Sequence, residues 1–114
     1  MNSREGKLLN DQINQQTKFL YKPRTQAARK ILNILETDEF IKYRGTIITP
    51  TCKITLKIFR HQLPIKLTEI DRKVREYLRA PLTGQLLLTT NKGVMGHREA
   101  LKKRTGGYMI GYYY

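Results

Sequence analysis

Three short polar side chains in a row, Thr89, Thr90 and Asn91, run directly into Lys92 and Gly93. Hydroxyl and amide groups on short stems can approach a ribose or a base edge closely, and they both donate and accept hydrogen bonds. The shallow minor groove of an RNA helix displays matching partners, its 2′-hydroxyls and base edges. Lys92 and Arg98 add phosphate contacts, which set register rather than read sequence. A plainer reading of the same stretch is a polar turn followed by a capped helix. Gly93 supplies positive φ, Gly96 serves as N-cap, and Glu99 can bond back to the cap backbone. His97, inside this stretch, is expected to contact RNA or cap the helix rather than bind a metal. A second basic cluster, Arg24, Thr25, Arg29 and Lys30, follows Pro23. There a helix dipole would help hold a phosphate, although a solvated basic turn explains it equally well.

Other chemistry fares worse. Cys52 and His61 could pair as nucleophile and base, but Cys52 alternates with Ile54 and Leu56 on an apolar face, where a buried thiol is inert. One cysteine and two histidines can form neither an intramolecular disulfide nor a structural zinc site. No catalytic residue, metal site or cofactor is expected. The nine acidic residues show no paired carboxylates of the kind a nuclease needs. The terminal tyrosines Tyr112, Tyr113 and Tyr114 could stack on bases, but alternation sends Tyr112 or Tyr113 into the core.

The charge balance points the same way as the Thr-Thr-Asn run. In 114 residues, 22 Lys/Arg face nine Asp/Glu, a formal net charge of +13, and the mean hydropathy is −0.54. An excess this large opposes compaction unless a polyanion receives it. RNA is the first candidate and an anionic membrane surface the weaker one. Beyond residue 40, fifteen Lys/Arg meet only Glu69, Asp71, Glu76 and Glu99, so the polyanion-facing surface belongs to the later part of the chain. The Leu86-Leu87-Leu88 run falls far short of the ~20 apolar residues of a membrane span. Residues 1–6 lack the apolar core of a signal peptide, and Glu5 and Asp11 break the acid-poor pattern of a transit peptide. The chain is expected to work where it is made, or to have lost its address.

These side chains need elements to hold them. Leu8, Leu9, Ile13 and Phe19 predict an amphipathic helix from Glu5 to Phe19, and Pro23 opens a second, lined by Ala27, Ala28, Ile31, Leu32, Ile34 and Leu35. Thr37-Asp38-Glu39 ends it. Tyr43–Thr49 and Cys52–Phe59 read as strands joined by a turn at Pro50-Thr51. Residues 61–79 fit a strand or a helix. Residues 80–84 read as a linker, Gln85–Thr90 as a buried strand, Ala100–Lys103 as a short helix stopped at Gly106-Gly107, and Tyr108–Tyr114 as a last strand. This is an α+β chain in two small lobes: a helix-helix-strand lobe over residues 1–62, and a β-rich RNA-binding lobe with one short helix over 63–114.

The run Leu88-Thr89-Thr90-Asn91-Lys92-Gly93-Val94-Met95, then Arg98-Glu99-Ala100, Gly106-Gly107 and a closing aromatic strand, resembles the C-terminal signature of the small-subunit ribosomal protein S-eight family. The earlier layout agrees, with a Pro-initiated second helix and Ile34-Leu35 before Phe40-Ile41-Lys42. The resemblance implies a non-enzymatic constituent of the small ribosomal subunit. It would bind helical ribosomal RNA of the central domain, support its assembly for translation, and sit beside neighbouring small-subunit proteins. It implies neither a membrane nor a small-molecule partner. The family's serine-threonine-serine loop, which packs into an RNA minor groove, falls on Thr89, Thr90 and Asn91. Asn91 replaces the last serine, Tyr108 stands where the family carries Glu, and Gly111 where it often carries Cys. The divergent signature, the length and the Ile/Lys/Asn/Tyr-rich composition favour a mitochondrial ribosome, with plastid and bacterial cytoplasm as alternatives. A small RNA-processing nuclease and a free-standing RNA chaperone are the competing functions.

Overall fold

In the computed structural model, which describes residues 3–78 and 84–114, Glu5, Leu9 and Ile13 repeat at the four-residue spacing of a single helix face. All three are buried on α1 (Ser3–Asn14). The same face carries Gly6, where a Cβ would come within 2.9 Å of Ile58 Cγ2. The helix therefore rides close on β4 (Leu56–Ile65). One turn apart, Asn10 and Asn14 accept the Ile58 and Leu56 N–H groups at 2.8 and 2.7 Å and donate back to the same residues' carbonyls. Two side-chain amides thus stand in for a strand along an outer sheet edge that would otherwise be open to mispairing. The helix stops at Asn14, not at Phe19 as expected. Gln16 takes a φ of +65°, which ends right-handed helix, and β1 (Phe19–Leu20) pairs with Ile48 and Ile47 instead.

The second helix, α2 (Gln26–Thr37), buries Ala28, Ile31, Leu32 and Leu35. Its N-cap is Thr25, whose hydroxyl accepts the Ala28 N–H at 3.2 Å, so Pro23 precedes the cap rather than opening the helix. The expected strand Tyr43–Thr49 is instead a hairpin, β2 (Ile41–Arg44) against β3 (Ile47–Pro50). Gly45, at φ +62°, allows the reversal there. No turn is then needed at Pro50-Thr51, and Pro50 ends β3 opposite Ile41. Cys52 falls outside any strand and is exposed, so the inert buried thiol expected there is not found. The inward alternation begins at Ile54 and continues through Leu56 and Ile58.

The ambiguous stretch 61–79, of which residue 79 lies outside the described residues, resolves over 61–78 by a change of period. Strand β4 continues to Ile65, then α3 (Ile70–Tyr77) buries Ile70 and Val74 one turn apart. The linker expected at 80–84 lies, apart from Gly84, outside the described residues. Beyond it come β5 (Gln85–Thr90), β6 (Gly93–Gly96), α4 (His97–Lys102) and β7 (Gly107–Tyr113). The N-terminal sheet is ordered β1-β3-β2, and the second, antiparallel sheet β4-β7-β5-β6. Residue 62 lies within β4, which pairs along β7 on both sides of it.

One sheet serves two cores, because successive strand side chains point to opposite faces. Leu87, Ile110, Tyr113 and Ile58 meet α1 and α2 on one side. Leu86, Leu88, Met109 and Ile65 meet α3 and Ala100 of α4 on the other. That double burial explains the unbroken Leu86-Leu87-Leu88 run.

Candidate nucleic-acid interface

Strands β5 and β6 form a hairpin in which Thr90 pairs with Gly93 across a two-residue turn, Asn91-Lys92. Gly93 sits at φ +109°, a conformation side chains other than glycine's resist. The Thr90 hydroxyl donates to the Gly93 carbonyl at 2.9 Å and accepts the Lys92 N–H at 3.1 Å. It is buried inside the turn rather than offered to a ligand. Asn91, Lys92 and Gly93 are exposed, and Thr89 is half-buried. Asn91 Oδ1 accepts a long bond from the Thr105 hydroxyl, 3.4 Å, tying the turn to the segment that enters β7.

That segment explains Gly106-Gly107. A Cβ on Gly107 would sit 2.2 Å from the Thr89 carbonyl oxygen, and one on Gly106 would sit 2.8 Å from that of Ile65. Only glycines let β7 enter between the ends of β4 and β5. Tyr108 then lies opposite both Pro64 and Thr89, and Thr89 lies opposite Val94. Directly opposed residues share a face, so Pro64, Tyr108, Thr89 and Val94 form one row across the sheet. The row lies two residues beyond Leu87 on the same face, where Tyr108 is 50% exposed.

Arg98 is positioned differently from the expected free phosphate contact. Its Nη2 donates to the Gly84 carbonyl at 2.9 Å, and its Nη1 lies 3.4 Å from Asp38 Oδ2. The same carboxylate accepts Gln85 Nε2 at 3.0 Å and the Tyr113 hydroxyl, while Gln85 Nε2 also reaches the Tyr113 hydroxyl at 3.2 Å. Burial, reinforced by the bond to Asp38, pushes the Tyr113 phenol up from its ordinary pKa. Asp38, the C-cap of α2, thereby clasps that helix to the second sheet. Sequence reasoning missed Asp38 and Gln85; their only signal was polar residues beside apolar runs.

His97 is also turned inward. It is 5% exposed, and its Nδ1 accepts the Leu86 N–H at 3.0 Å. Burial, helped by the neighbouring Arg98 charge, lowers its pKa to about 4. The neutral ring is an acceptor inside the fold, its Nδ1 serving a backbone donor. At the cap of this helix Glu99 does not bond back to Gly96; it pairs with Lys103 at 3.2 Å.

The opening of α2 already holds an anion. The buried Glu5 carboxylate accepts the Arg24 N–H at 3.0 Å and the Thr25 hydroxyl at 2.8 Å. Burial alone would raise its pKa, but the bonds from the Arg24 N–H and the Thr25 hydroxyl hold it below the ordinary carboxylate value. A phosphate at this helix end therefore meets the protein's own carboxylate. Arg24 and Lys30 do not converge there: Arg24 faces one groove with Lys22. Lys30 lines another, of about 570 Å³, with Arg98, Lys102 and Lys103 between α2 and α4. Lys102, which ends α4, and its C-cap Lys103 were not singled out in the sequence.

The terminal tyrosines divide as alternation requires. Tyr113 is fully buried, edge-on to Phe40 at 5.0 Å. Tyr112 and Tyr114 stack on each other at 6.1 Å, beside Phe59 and Tyr77. Among the described residues no group of three or more His, Cys, Asp or Glu could hold a metal ion, and no helix is long and apolar enough to cross a membrane.

Acids lie beside the second sheet, Asp38 of the α2 cap and Glu99 of α4, each next to a base, but not on its strands. None of the four strands of the second sheet, nor the Asn91-Lys92 turn, nor the Lys103–Gly106 segment carries an Asp or Glu. Such a surface can follow a phosphate backbone while the turn and the exposed row meet sugars or bases.

A family model described as "Ribosomal protein S8" matches residues 7–114. The chain is 48% identical over 50 residues to "Small ribosomal subunit protein uS8" of Nitrosopumilus maritimus, covering 44% of this chain and 38% of that protein. It is 38% identical over 50 residues to "Small ribosomal subunit protein uS8A" of Schizosaccharomyces pombe, covering 44% and 38%. With "Small ribosomal subunit protein uS8" of Nanoarchaeum equitans it shares 26% identity over 95 residues, covering 75% and 74%. The matched stretch thus spans well under half the length of the first of these relatives.

Proposed function

Because this chain belongs to the Ribosomal protein S8 family, we propose that it is a structural constituent of the small ribosomal subunit. In this reading it binds helical ribosomal RNA of the central domain, supports assembly of that domain, and catalyses nothing. The family match over residues 7–114 carries the reading, and the carboxylate-free sheet supports RNA as the ligand. Its partners are small-subunit ribosomal RNA and neighbouring ribosomal proteins, with no membrane and no small-molecule substrate.

The roles of the site residues follow from their surroundings. Thr89, Asn91, Lys92 and Gly93 meet the RNA at the exposed hairpin. Lys30, with Lys102 and Lys103, neutralises phosphate along the groove between α2 and α4. Thr90, His97, Arg98 and Thr25 act by holding that surface in shape, since their polar atoms serve the fold. Arg24 contributes an exposed charge away from the hairpin.

A tagged copy expressed in its own cells should co-sediment with the small subunit through a high-salt wash. Recovery at the top of the gradient, or RNA cleavage by the purified chain, would overturn the structural role. The Ile/Lys/Asn/Tyr-rich composition supports a mitochondrial ribosome, whereas similarity to archaeal and fission-yeast proteins supports a ribosome of that descent. Subcellular fractionation of the same cells decides between the two.

A further inference from the structure

Strand β1 lies at one end of the order β1-β3-β2 and pairs with β3 alone. Phe19 lies opposite Ile48, and the Tyr21 N–H donates to the Thr46 carbonyl at 2.7 Å. Alternate residues of an antiparallel strand turn their N–H and C=O groups to the partner. Those of Leu20, between Phe19 and Tyr21, therefore point out along the free edge, where no described strand meets them. The Leu20 side chain is 75% exposed, more than any other large apolar side chain among the described residues. Single exposed apolar residues are ordinary, but this one has company. Leu8 of α1, 45% exposed, lines the same groove of about 680 Å³. Ile47 lies directly opposite on β3 and shares the sheet face.

The charge around Leu20 selects the occupant. Lys18 and Lys22 flank it, both exposed, and Arg4 and Arg24 line the groove. The one carboxylate lining that groove, Glu5, is buried and accepts the Arg24 N–H and the Thr25 hydroxyl. A second copy of this chain, laid antiparallel with Leu20 against Leu20, would set Lys18 opposite Lys22, and like charges so placed repel. An RNA backbone answers the lysines through its phosphates but brings nothing apolar to Leu8, Leu20 and Ile47. An extended peptide answers every feature at once. Its backbone pairs with the Leu20 N–H and carbonyl, an apolar residue covers Leu20, and carboxylates two residues to either side meet Lys18 and Lys22. We propose that the free edge of β1 takes an extended acidic segment of another protein as an added strand, its pattern acid–x–apolar–x–acid.

The probe is a capped synthetic peptide, Thr-Thr-Glu-Thr-Leu-Thr-Glu-Thr-Thr, and its counterpart carries Lys at both Glu positions. Titrated into the full-length chain, the Glu peptide should bind and slow hydrogen exchange of the Leu20 amide about tenfold at saturation. The Lys peptide should bind at least about tenfold more weakly. Leu20→Thr keeps strand propensity and removes the apolar contact; it should weaken the Glu peptide about tenfold and leave the melting temperature and RNA affinity unchanged. Leu20→Pro removes an N–H that the sheet does not use and should weaken the same peptide at least as much. Should the proline variant fail to fold, the threonine variant still decides. A Glu peptide that does not bind at millimolar concentration, or binds Leu20→Thr as it binds wild type, refutes the edge site. Equal binding of the Lys peptide refutes the selection by charge. If an RNA hairpin displaces the Glu peptide and itself binds Leu20→Thr more weakly, this face meets RNA and the peptide reading is wrong.

Discussion

Asp38→Ala tests whether the clasp between α2 and the second sheet acts as a unit. The carboxylate accepts from Gln85 Nε2 at 3.0 Å and from the Tyr113 hydroxyl, and it faces Arg98 Nη1 at 3.4 Å. Gln85 is 7% exposed and Tyr113 fully buried, so water replaces little of what they lose. Hydrogen bonds to a charged group are worth about 1.5–3 kcal/mol each. The Arg98 pair, whose side chain is 42% exposed, adds no more than about 0.5 kcal/mol. Part of the loss is recovered, because Gln85 and Tyr113 remain 3.2 Å apart and Arg98 keeps the Gly84 carbonyl. The net destabilisation is therefore about 3 kcal/mol, equivalent to a melting temperature lower by roughly 12 °C for a domain of this size. Urea unfolding followed by circular dichroism measures it directly. Tyr113→Phe should cost about 1–2 kcal/mol, and the double variant less than the two single costs added together. An Asp38→Ala cost below about 1 kcal/mol, or strict additivity with Tyr113→Phe, would refute the argument that these residues form one network.

Three further outcomes are expected. The neutral His97 ring accepts from the Leu86 N–H and titrates near 4, against 6.5 for the free side chain. Its contribution to stability is complete above pH 6.5 and is lost as pH falls towards 4, because the unfolded chain binds the proton first. The total is at most about 3 kcal/mol, and urea midpoints across that window should flatten in His97→Gln. Thr90→Val removes both bonds inside the turn; it should destabilise by about 1–2 kcal/mol while Thr90→Ser stays near wild type, and an unchanged melting temperature for the valine variant would count against the turn geometry. Lys92→Ala should weaken paired and unpaired RNA alike and reduce the salt slope by about one unit, from a starting value near −4 to −5 if ~6 phosphates are neutralised; filter binding across a salt series reads both numbers.

Periodicity alone was enough for α2, for the β5 run and for the closing strand, because each carries its burial pattern in consecutive residues. The tight turn at Gly93 was equally legible, since positive φ there suits glycine, but strand β6, which makes it a hairpin, was not read. Local pattern failed wherever a distant backbone decided the outcome. Phe19 left the first helix because β3 offered it a partner, and Cys52 left the apolar face because the inward alternation starts only at Ile54. Asn10 and Asn14 read as two polar helix residues, although they close the edge of a strand more than 40 positions later.

Among the site residues the same division holds. Composition pointed to a polyanionic partner and placed most of the basic excess after residue 40. Only the tertiary structure decided which polar groups are free to meet it. Thr90, His97 and Arg98 were chosen for chemistry their side chains can perform; in the fold each also bonds its own chain, to Gly93, Leu86 and Gly84 respectively. Tyr108 was noted only as a departure from the family's Glu, not for its exposure. Its exposure is set by Pro64, Thr89 and Val94 on three other strands, and no window of sequence contains them together.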